Sequence, residues 1–256
     1  MPFFRTAGKT CYFSHIPKTG GTSVEDYLIE RFGPLAMLER RFNFIPQPER
    51  WCQTSPQHIE WKSLQMFLPL ELIDAVFTVV RHPIARTESG YHFQIQVEKS
   101  VPPETPFSDW LKTQVRMLKE NPFALDNHMR PQVDFVPDGA AVFHLEFGLD
   151  PMVPYFDELA GNTDGPRMIG HSNKRKKPKT EAPDWARPSQ ADIDLLCDLY
   201  AEDFERFGYV PGEKKPQVEK PALPQSFLEA REAELAHRAT SAYRWKTRLK
   251  RWRSKF

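Results

Sequence analysis

KTCYFSHIPKTGGTS (residues 9–23) combines the pattern of a buried strand with a glycine turn and the start of a helix. The strand pattern covers residues 9–16, and the helical spacing continues through residues 23–32 as far as Gly33 and Pro34. Because the two glycines allow a tight turn, several backbone N–H groups and the helix N-terminus can point at one anion. The pattern therefore predicts an anion-binding loop between a strand and a helix.

Side chains of the same loop supply charge and hydroxyl donors. Lys18 carries a full positive charge, and Thr22 and Ser23 offer hydroxyl groups. The lysine precedes the glycines, whereas in GxxxxGK[ST] it follows them, so a loop of the ordinary ATP-hydrolysing type is disfavoured. The alternative is a plain glycine turn with an exposed lysine. The predicted anion-binding residues are Lys18, Thr19, Gly20, Gly21, Thr22 and Ser23.

Two further strand patterns lie downstream. Residues 74–80 (DAVFTVV) precede a helix that begins near Ile84, and residues 140–147 (AAVFHLEF) form a third strand pattern. Strands that alternate with helices predict an α/β fold with a central parallel sheet covered by helices on both faces. A long amphipathic helix is expected at residues 189–207, with Ser189 as its N-cap.

Composition divides the chain of 256 residues into three parts. Residues 1–210 contain the strand and helix patterns and are long enough for one core. Residues 211–225 form a Pro- and Lys-rich linker that is not expected to pack, and residues 226–256 form a C-terminal basic amphipathic helix. The net charge is +1, but residues 244–256 contain only basic charges, so the rest of the chain is net acidic and nucleic acid is disfavoured as a ligand.

The sequence shows no pattern typical of membrane insertion, secretion or metal binding. It contains no apolar run of about 18 residues, and the N-terminus MPFFRTAGKT lacks the long apolar segment of a signal peptide, so a cytoplasmic location is expected. Cys11, Cys52 and Cys197 are far apart and form no CxxC pair. No HExxH motif connects the histidines, so we predict no metal site.

The C-terminal tail has a pattern of its own. Trp245, Leu249, Trp252 and Phe256 recur at helical spacing among lysines and arginines, which predicts a helix that contacts an anionic membrane surface. Apolar residues from Leu228 to Phe256 also repeat every seven positions, which fits a coiled-coil homodimer. An unstructured basic tail is the third possibility.

Two motifs resemble those of a known family. PKTGGTS (residues 17–23) resembles the 5′-phosphosulfate-binding loop of sulfotransferases, particularly carbohydrate sulfotransferases and their soluble bacterial relatives. TVVRHP (residues 78–83), followed by Ser89, resembles the family's 3′-phosphate-binding segment. Arg81 leaves the carboxyl edge of the predicted sheet and Ser89 lies on the next helix, where both can reach one phosphate. Arg86 is either a further phosphate contact or a solvated surface arginine.

The resemblance spans roughly residues 9–210 and implies a P-loop-like three-layer fold. It implies an enzyme that transfers a sulfuryl group from 3′-phosphoadenosine 5′-phosphosulfate to a hydroxyl, on a saccharide or a glycolipid, with no metal required. The chain departs from the cytosolic small-molecule sulfotransferases at HSNKRKK (residues 171–177), where those enzymes carry a Gly-rich RKGxxGDWK element. Either the basic residues here approach the nucleotide or they form a solvated loop: Lys174, Arg175 and Lys176.

Catalysis needs a base for the hydroxyl proton and positive charge for the oxygens around sulfur. Lys18 fits the second role. His58 is the predicted base, because carbohydrate sulfotransferases of the uronosyl 2-O type are similar here, with a histidine about this far ahead of the arginine segment. Glu60 is the alternative base, since other saccharide sulfotransferases use a carboxylate. His128 is expected either to line the acceptor cleft or to form structural hydrogen bonds, and His15 is expected to be structural.

Two other classes of function remain open. A P-loop kinase needs a lysine after the glycines and a carboxylate for magnesium at a strand end, where this chain has Arg81. A non-catalytic binding protein with the same fold is disfavoured because Lys18, Arg81 and Ser89 are all present. Three tryptophans belong either to the acceptor cleft or to the core: Trp51, Trp61 and Trp110.

Overall fold

The computed structural model describes residues 2–170 and 183–240, and it is built around a four-stranded sheet. The strands, in their order across the sheet, are β1 (Phe3–Thr6), β2 (Lys9–Ser14), β3 (Ala75–Val80) and β4 (Ala141–His144). The parallel pairing of β2, β3 and β4 agrees with the sequence-based prediction. Strand β1 was not predicted and makes the sheet mixed, because Ala7 and Gly8 form a tight turn with positive φ that brings β1 back antiparallel to β2.

Helices cover both faces of this sheet. They are α1 (Gly21–Phe32), α2 (Trp61–Phe67), α3 (Pro83–Phe93), α4 (Phe107–Glu120), α5 (Met152–Ala160), α6 (Gln190–Leu199), α7 (Ala201–Arg206) and α8 (Gln225–Ala239). One apolar cluster joins Val80 to α3, α4 and α6, and another joins Phe13, Phe77 and Val79 to α1 and α5. Alternate residues of β3 thus enter opposite clusters, as expected for a sheet in the middle of three layers. The predicted three-layer α/β fold is confirmed.

The prediction of one helix at residues 189–207 is correct for the start of the helix, but the structure has two helices here instead of one. Ser189 caps α6 in a capping box with Asp192. The backbone then leaves the helical region at Tyr200, whose φ is −115° and ψ is 26°, and α7 begins at Ala201. The Tyr200 side chain is buried and its hydroxyl donates to the Met129 carbonyl oxygen (2.9 Å), a tertiary contact that the helical periodicity does not report.

The expectation that residues 211–225 do not pack needs correction. Pro216 is buried, and the Gln217 N–H donates to the Gly208 carbonyl oxygen (2.7 Å). Helix α8 is docked as well, because Phe227 is buried in the cluster of α1 and α5 and Arg231 Nε lies 2.6 Å from Asp150 Oδ2. The described part of the tail is therefore attached to the domain rather than separate from it.

The membrane-contact pattern from Trp245 to Phe256 lies outside the described residues, so it stays a prediction, as does the coiled-coil alternative. In residues 2–170 and 183–240, none of the helices combines the length and the apolar character that crossing a membrane requires.

Candidate active site

The predicted anion-binding loop connects β2 directly to α1. Lys18 and Gly20 have positive φ values of 70° and 92°, and α1 begins at Gly21. When residues just before a helix are left-handed, successive backbone N–H groups point toward one position at the N-terminus of the helix, where the helix dipole is positive. Thr19 is different, since its side chain is fully buried and donates to the Ile16 carbonyl oxygen (2.8 Å). Thr19 therefore holds the loop in shape, and its hydroxyl faces the interior.

His15 supports this loop from below. Its Nδ1 lies 2.7 Å from Glu25 Oε1 on α1, and a Cβ atom placed on Gly21 would lie 1.8 Å from its Nε2. Burial lowers the pKa of His15, although the attraction of Glu25 opposes this shift. The second glycine of the loop is thus required by the histidine packed against it, which agrees with the structural role expected for His15.

Arg81 connects the second predicted phosphate-binding segment to the loop. Its Nη1 donates to the Lys18 carbonyl oxygen at 3.2 Å. The Arg81 backbone is fixed by the buried Gln132, which exchanges hydrogen bonds of 2.9 Å with its N–H and its carbonyl oxygen. Ser89 is half-buried further along α3, which begins after Arg81. The structure therefore brings the lysine loop and the arginine segment into contact at the carboxyl edge of β2 and β3.

Lys18 lies in an unusual environment for a lysine. Its Nζ lies 3.5 Å from the centre of the Phe93 ring. Burial, helped by the positive charge of Arg81 and opposed by Glu98, lowers the pKa of Lys18 to about 8. Glu98 lies in the π-helical turn Gln94–Glu98 that continues α3, and burial raises the pKa of its carboxyl group. An anion bound at the loop would stabilise the charged form of Lys18.

His58 is held in one orientation by groups from a distant part of the chain. Its Nδ1 lies 2.7 Å from Asp126 Oδ2, and its carbonyl oxygen accepts a hydrogen bond from the Asn127 amide (2.8 Å). Burial alone would raise the pKa of Asp126, but His58, His128 and the Ser55 N–H bring it well below its usual range. A carboxylate at Nδ1 fixes that nitrogen as the N–H donor, so Nε2 keeps its lone pair and can accept a proton.

Glu60, the alternative base, is engaged elsewhere. Its carboxylate caps α2, where it accepts from the Ser63 N–H (2.9 Å) and from the Ser63 hydroxyl, and its side chain is buried. His128 lies between His58 and Phe93, with ring centres 5.5 and 5.8 Å away, and burial together with the charge of His58 lowers the pKa of His128 to about 3. The geometry therefore favours His58 over Glu60 as the base.

Two cavities are lined by residues that contact the loop or the His58 pair. The larger cavity, about 760 Å³, is lined by Phe93, Asp126 and His128. Phe93 is the ring that contacts Lys18 Nζ, and Asp126 is the carboxylate at His58 Nδ1. The smaller, about 520 Å³, is lined by Arg81 and by α3 residues that follow it. His58 and Lys18 do not line the larger cavity themselves, but each contacts a residue that does. The His58 side chain keeps 11% of its surface exposed.

Two interpretations of the sequence are decided by burial. Trp110 is buried, with its indole N–H donated to Gln94 (2.7 Å), and belongs to the core. The partly buried Trp61 packs on Tyr12 at the edge of the core, whereas Trp51 is largely exposed. The aromatic residues that line the larger cavity are phenylalanines instead. Arg86 is not a solvated surface residue, because only 1% of its surface is exposed.

A comparison with known protein families matches nearly the whole of the predicted domain. The family model described as Sulfotransferase family matches residues 2–210. The chain belongs to the sulfotransferase family. No curated protein and no solved structure matches it. Family membership supports sulfuryl transfer in general and gives the α/β domain its P-loop-like fold, and it favours sulfuryl over phosphoryl transfer.

The candidate site contains residues that the sequence did not reveal. Asp126, Asn127 and Gln132 act on His58 and Arg81 from more than 50 residues away. The segment DNHMRPQ (residues 126–132) holds polar side chains beside a proline, but its partners become visible only in the fold. Within the described ranges, no group of three or more His, Cys, Asp and Glu side chains could hold a metal ion.

The pKa of Lys18 predicts how donor binding depends on pH. Because its ammonium is charged below about pH 8 and neutral above, the affinity for adenosine 3′,5′-bisphosphate should be constant near pH 7 and fall by about tenfold per unit above pH 8. Calorimetric titration from pH 7 to pH 9.5 measures this. Lys18→Arg is the matched control, since arginine stays charged and should remove the fall. A flat wild-type profile would contradict the assignment of Lys18 to the donor.

Proposed function

We propose that this sulfotransferase transfers the sulfuryl group of 3′-phosphoadenosine 5′-phosphosulfate to a hydroxyl of a saccharide or glycolipid. The observation that carries the proposal is the contact between the Arg81 guanidinium and the Lys18 carbonyl oxygen, because it unites two phosphate-binding segments in one site. The loop of residues 18–23 offers N–H groups and an ammonium to the 5′-phosphosulfate. Arg81 lines the smaller cavity, where it is available to the 3′-phosphate.

Each catalytic side chain then has a defined task. His58 Nε2 accepts the hydroxyl proton while the acceptor oxygen forms a bond to sulfur and the bond from sulfur to the bridging phosphate oxygen breaks. Asp126 stabilises the imidazolium that forms. Lys18 stabilises the negative charge that grows on the departing phosphate oxygen. The proton thus goes to His58, and the electron pair of the broken bond goes to the nucleotide product.

The larger cavity supports a saccharide as the acceptor. Its lining combines side-chain amides, which both donate to and accept from sugar hydroxyls, with phenyl rings. The amides are Asn43, Gln47, Gln53, Gln94 and Asn121, and the rings are Phe42, Phe44, Phe93 and Phe123. Phe44 is 82% exposed at the rim, which suits an acceptor with an apolar portion such as a glycolipid.

The charges of this cavity favour a neutral acceptor over a polyanionic one. Arg40 lies 3.2 Å from Glu25 and 2.7 Å from Asp26, and Arg50 donates to backbone carbonyl oxygens. Among the described lining residues these two arginines are therefore already engaged, while Glu98 and Glu120 contribute acidic side chains. A neutral sugar avoids the repulsion that a uronate or a sulfated glycan would meet there.

The experiment is a transfer assay with sulfur-labelled donor and matched acceptors, followed by mass spectrometry. We expect label in neutral oligosaccharides and alkyl glycosides, and at least about tenfold less in uronate-containing oligosaccharides of the same length. Simple phenols and γ-labelled ATP serve as controls for the other acceptor class and for a kinase. Transfer of phosphate from ATP, or no sulfate on any acceptor, would contradict the proposal.

A second prediction separates chemistry from donor binding. His58→Ala should lower kcat by roughly a hundredfold or more, because it removes the base, and should leave donor affinity nearly unchanged. Glu60→Gln is the comparison variant, and we expect it to keep most of the activity because Glu60 caps α2. Normal turnover by His58→Ala together with an inactive Glu60→Gln would move the role of base to Glu60.

A further inference from the structure

The segment that holds His58 has an unfavourable backbone. Leu125, Asp126 and Asn127 are three successive residues with side chains, and their φ values are 56°, 54° and 61°. Left-handed conformations are costly for such residues and persist only where the surroundings enforce them. They have a clear consequence, since they turn the Asp126 carboxylate to the His58 ring and the Asn127 amide to the His58 backbone.

The residues that follow are clamped by side chains of two helices. Arg86 on α3 donates from Nη1 to the His128 carbonyl oxygen (3.1 Å) and from Nη2 to the Arg130 carbonyl oxygen (2.5 Å). The Tyr200 hydroxyl, at the break between α6 and α7, donates to the Met129 carbonyl oxygen between them (2.9 Å). Three successive carbonyl oxygens are thus fixed directly after the left-handed residues.

Arg86 carries a buried charge that the buried Asp203 carboxylate offsets electrostatically, although the described hydrogen bonds of Arg86 go to other groups. Its Nε–H has no hydrogen-bond partner among the described residues, and none of its described hydrogen bonds goes to a carboxylate. The guanidinium lies 5.3 Å from the centre of the Tyr200 ring. Removing this cation leaves Asp203 and two backbone carbonyl oxygens without their partner, so its replacement by a neutral residue also lowers stability. The two hydrogen bonds to the backbone of His128 and Arg130 give the arginine a positioning role in addition.

We propose that Arg86 is a positioning residue that keeps the Asp126–His58 pair aligned and joins it to the donor-binding helix. This inference rests on the proposed function for its kinetic consequence. Arg86 lies on α3, five residues after Arg81 and three residues before Ser89. The helix that follows the donor-binding segment therefore also fixes the base, so that donor binding and proton transfer share one rigid element.

The first test compares Arg86→Met with Arg86→Lys. Arg86→Met should lower kcat by roughly tenfold or more, while the affinity for adenosine 3′,5′-bisphosphate stays within about twofold. Arg86→Lys should recover part of the activity, because an ammonium can still donate to one of the carbonyl oxygens. An unchanged kcat, or a loss of nucleotide affinity as large as the loss of kcat, overturns the proposal.

The second test asks whether Arg86 acts through Asp126. The double variant Arg86→Met with Asp126→Asn should be about as slow as the slower single variant, because both changes disturb the same pair. Independent effects that multiply in the double variant overturn the proposal. Tyr200→Phe removes the hydroxyl that donates to the Met129 carbonyl oxygen and keeps the Arg86 guanidinium, so its double variant with Asp126→Asn repeats the comparison if Arg86→Met does not fold.

The third test needs no substrate. Deuterium exchange of the amides in residues 124–130 and at Ser55, whose N–H donates to Asp126 (2.5 Å), should become faster in Arg86→Met than in the wild type. Unchanged exchange overturns the clamp. This readout also separates the two proposals, since a wild-type protein that transfers no sulfate contradicts the function, while exchange still tests the role of Arg86.

Discussion

The hydrogen bond from the Arg81 guanidinium to the Lys18 carbonyl oxygen joins two loops that are 63 residues apart in the chain. It forms because β2 and β3 are parallel neighbours, with Ser14 paired to Thr78, so that both strands deliver their next residues to the same edge of the sheet. The sheet therefore sets the distance between the two phosphate-binding segments. Everything that we assign to the donor depends on this register.

Burial controls the histidines beside that site. His15 and His128 are buried, and desolvation lowers the pKa of both, so each is a neutral neighbour of His58 at pH 7. Two of the histidines have carboxylate partners at Nδ1, Glu25 for His15 and Asp126 for His58. The His15 pair supports the loop beneath Gly21, while the His58 pair lies beside the larger cavity. Similar chemical pairs thus serve different purposes because of what surrounds them.

Local patterns in the sequence predicted much of the fold. The three parallel strands, the glycine loop and the cap at Ser189 depend on neighbouring residues, so their patterns are visible in a short window. The break at Tyr200, the docking of Phe227 and the burial of Arg86 depend on contacts with distant residues, and so does the pairing of Asp126 with His58. An arginine such as Arg86 is expected at the surface from its polarity. Only the fold shows that two backbone carbonyl oxygens accept its hydrogen bonds.

The central claim is that one bisphosphorylated nucleotide is held at both ends, and nucleotide binding by wild type and Arg81→Ala tests it most directly. Calorimetry should show that the wild type binds adenosine 3′,5′-bisphosphate much more tightly than adenosine 5′-monophosphate. Arg81→Ala should weaken the bisphosphate by about 2 to 4 kcal/mol, the range for a lost charge-assisted contact in a desolvated site, and should weaken the monophosphate less, through the lost bond to the Lys18 carbonyl oxygen. Equal affinity of the wild type for both nucleotides, or an unchanged affinity of Arg81→Ala for the bisphosphate, would contradict the account.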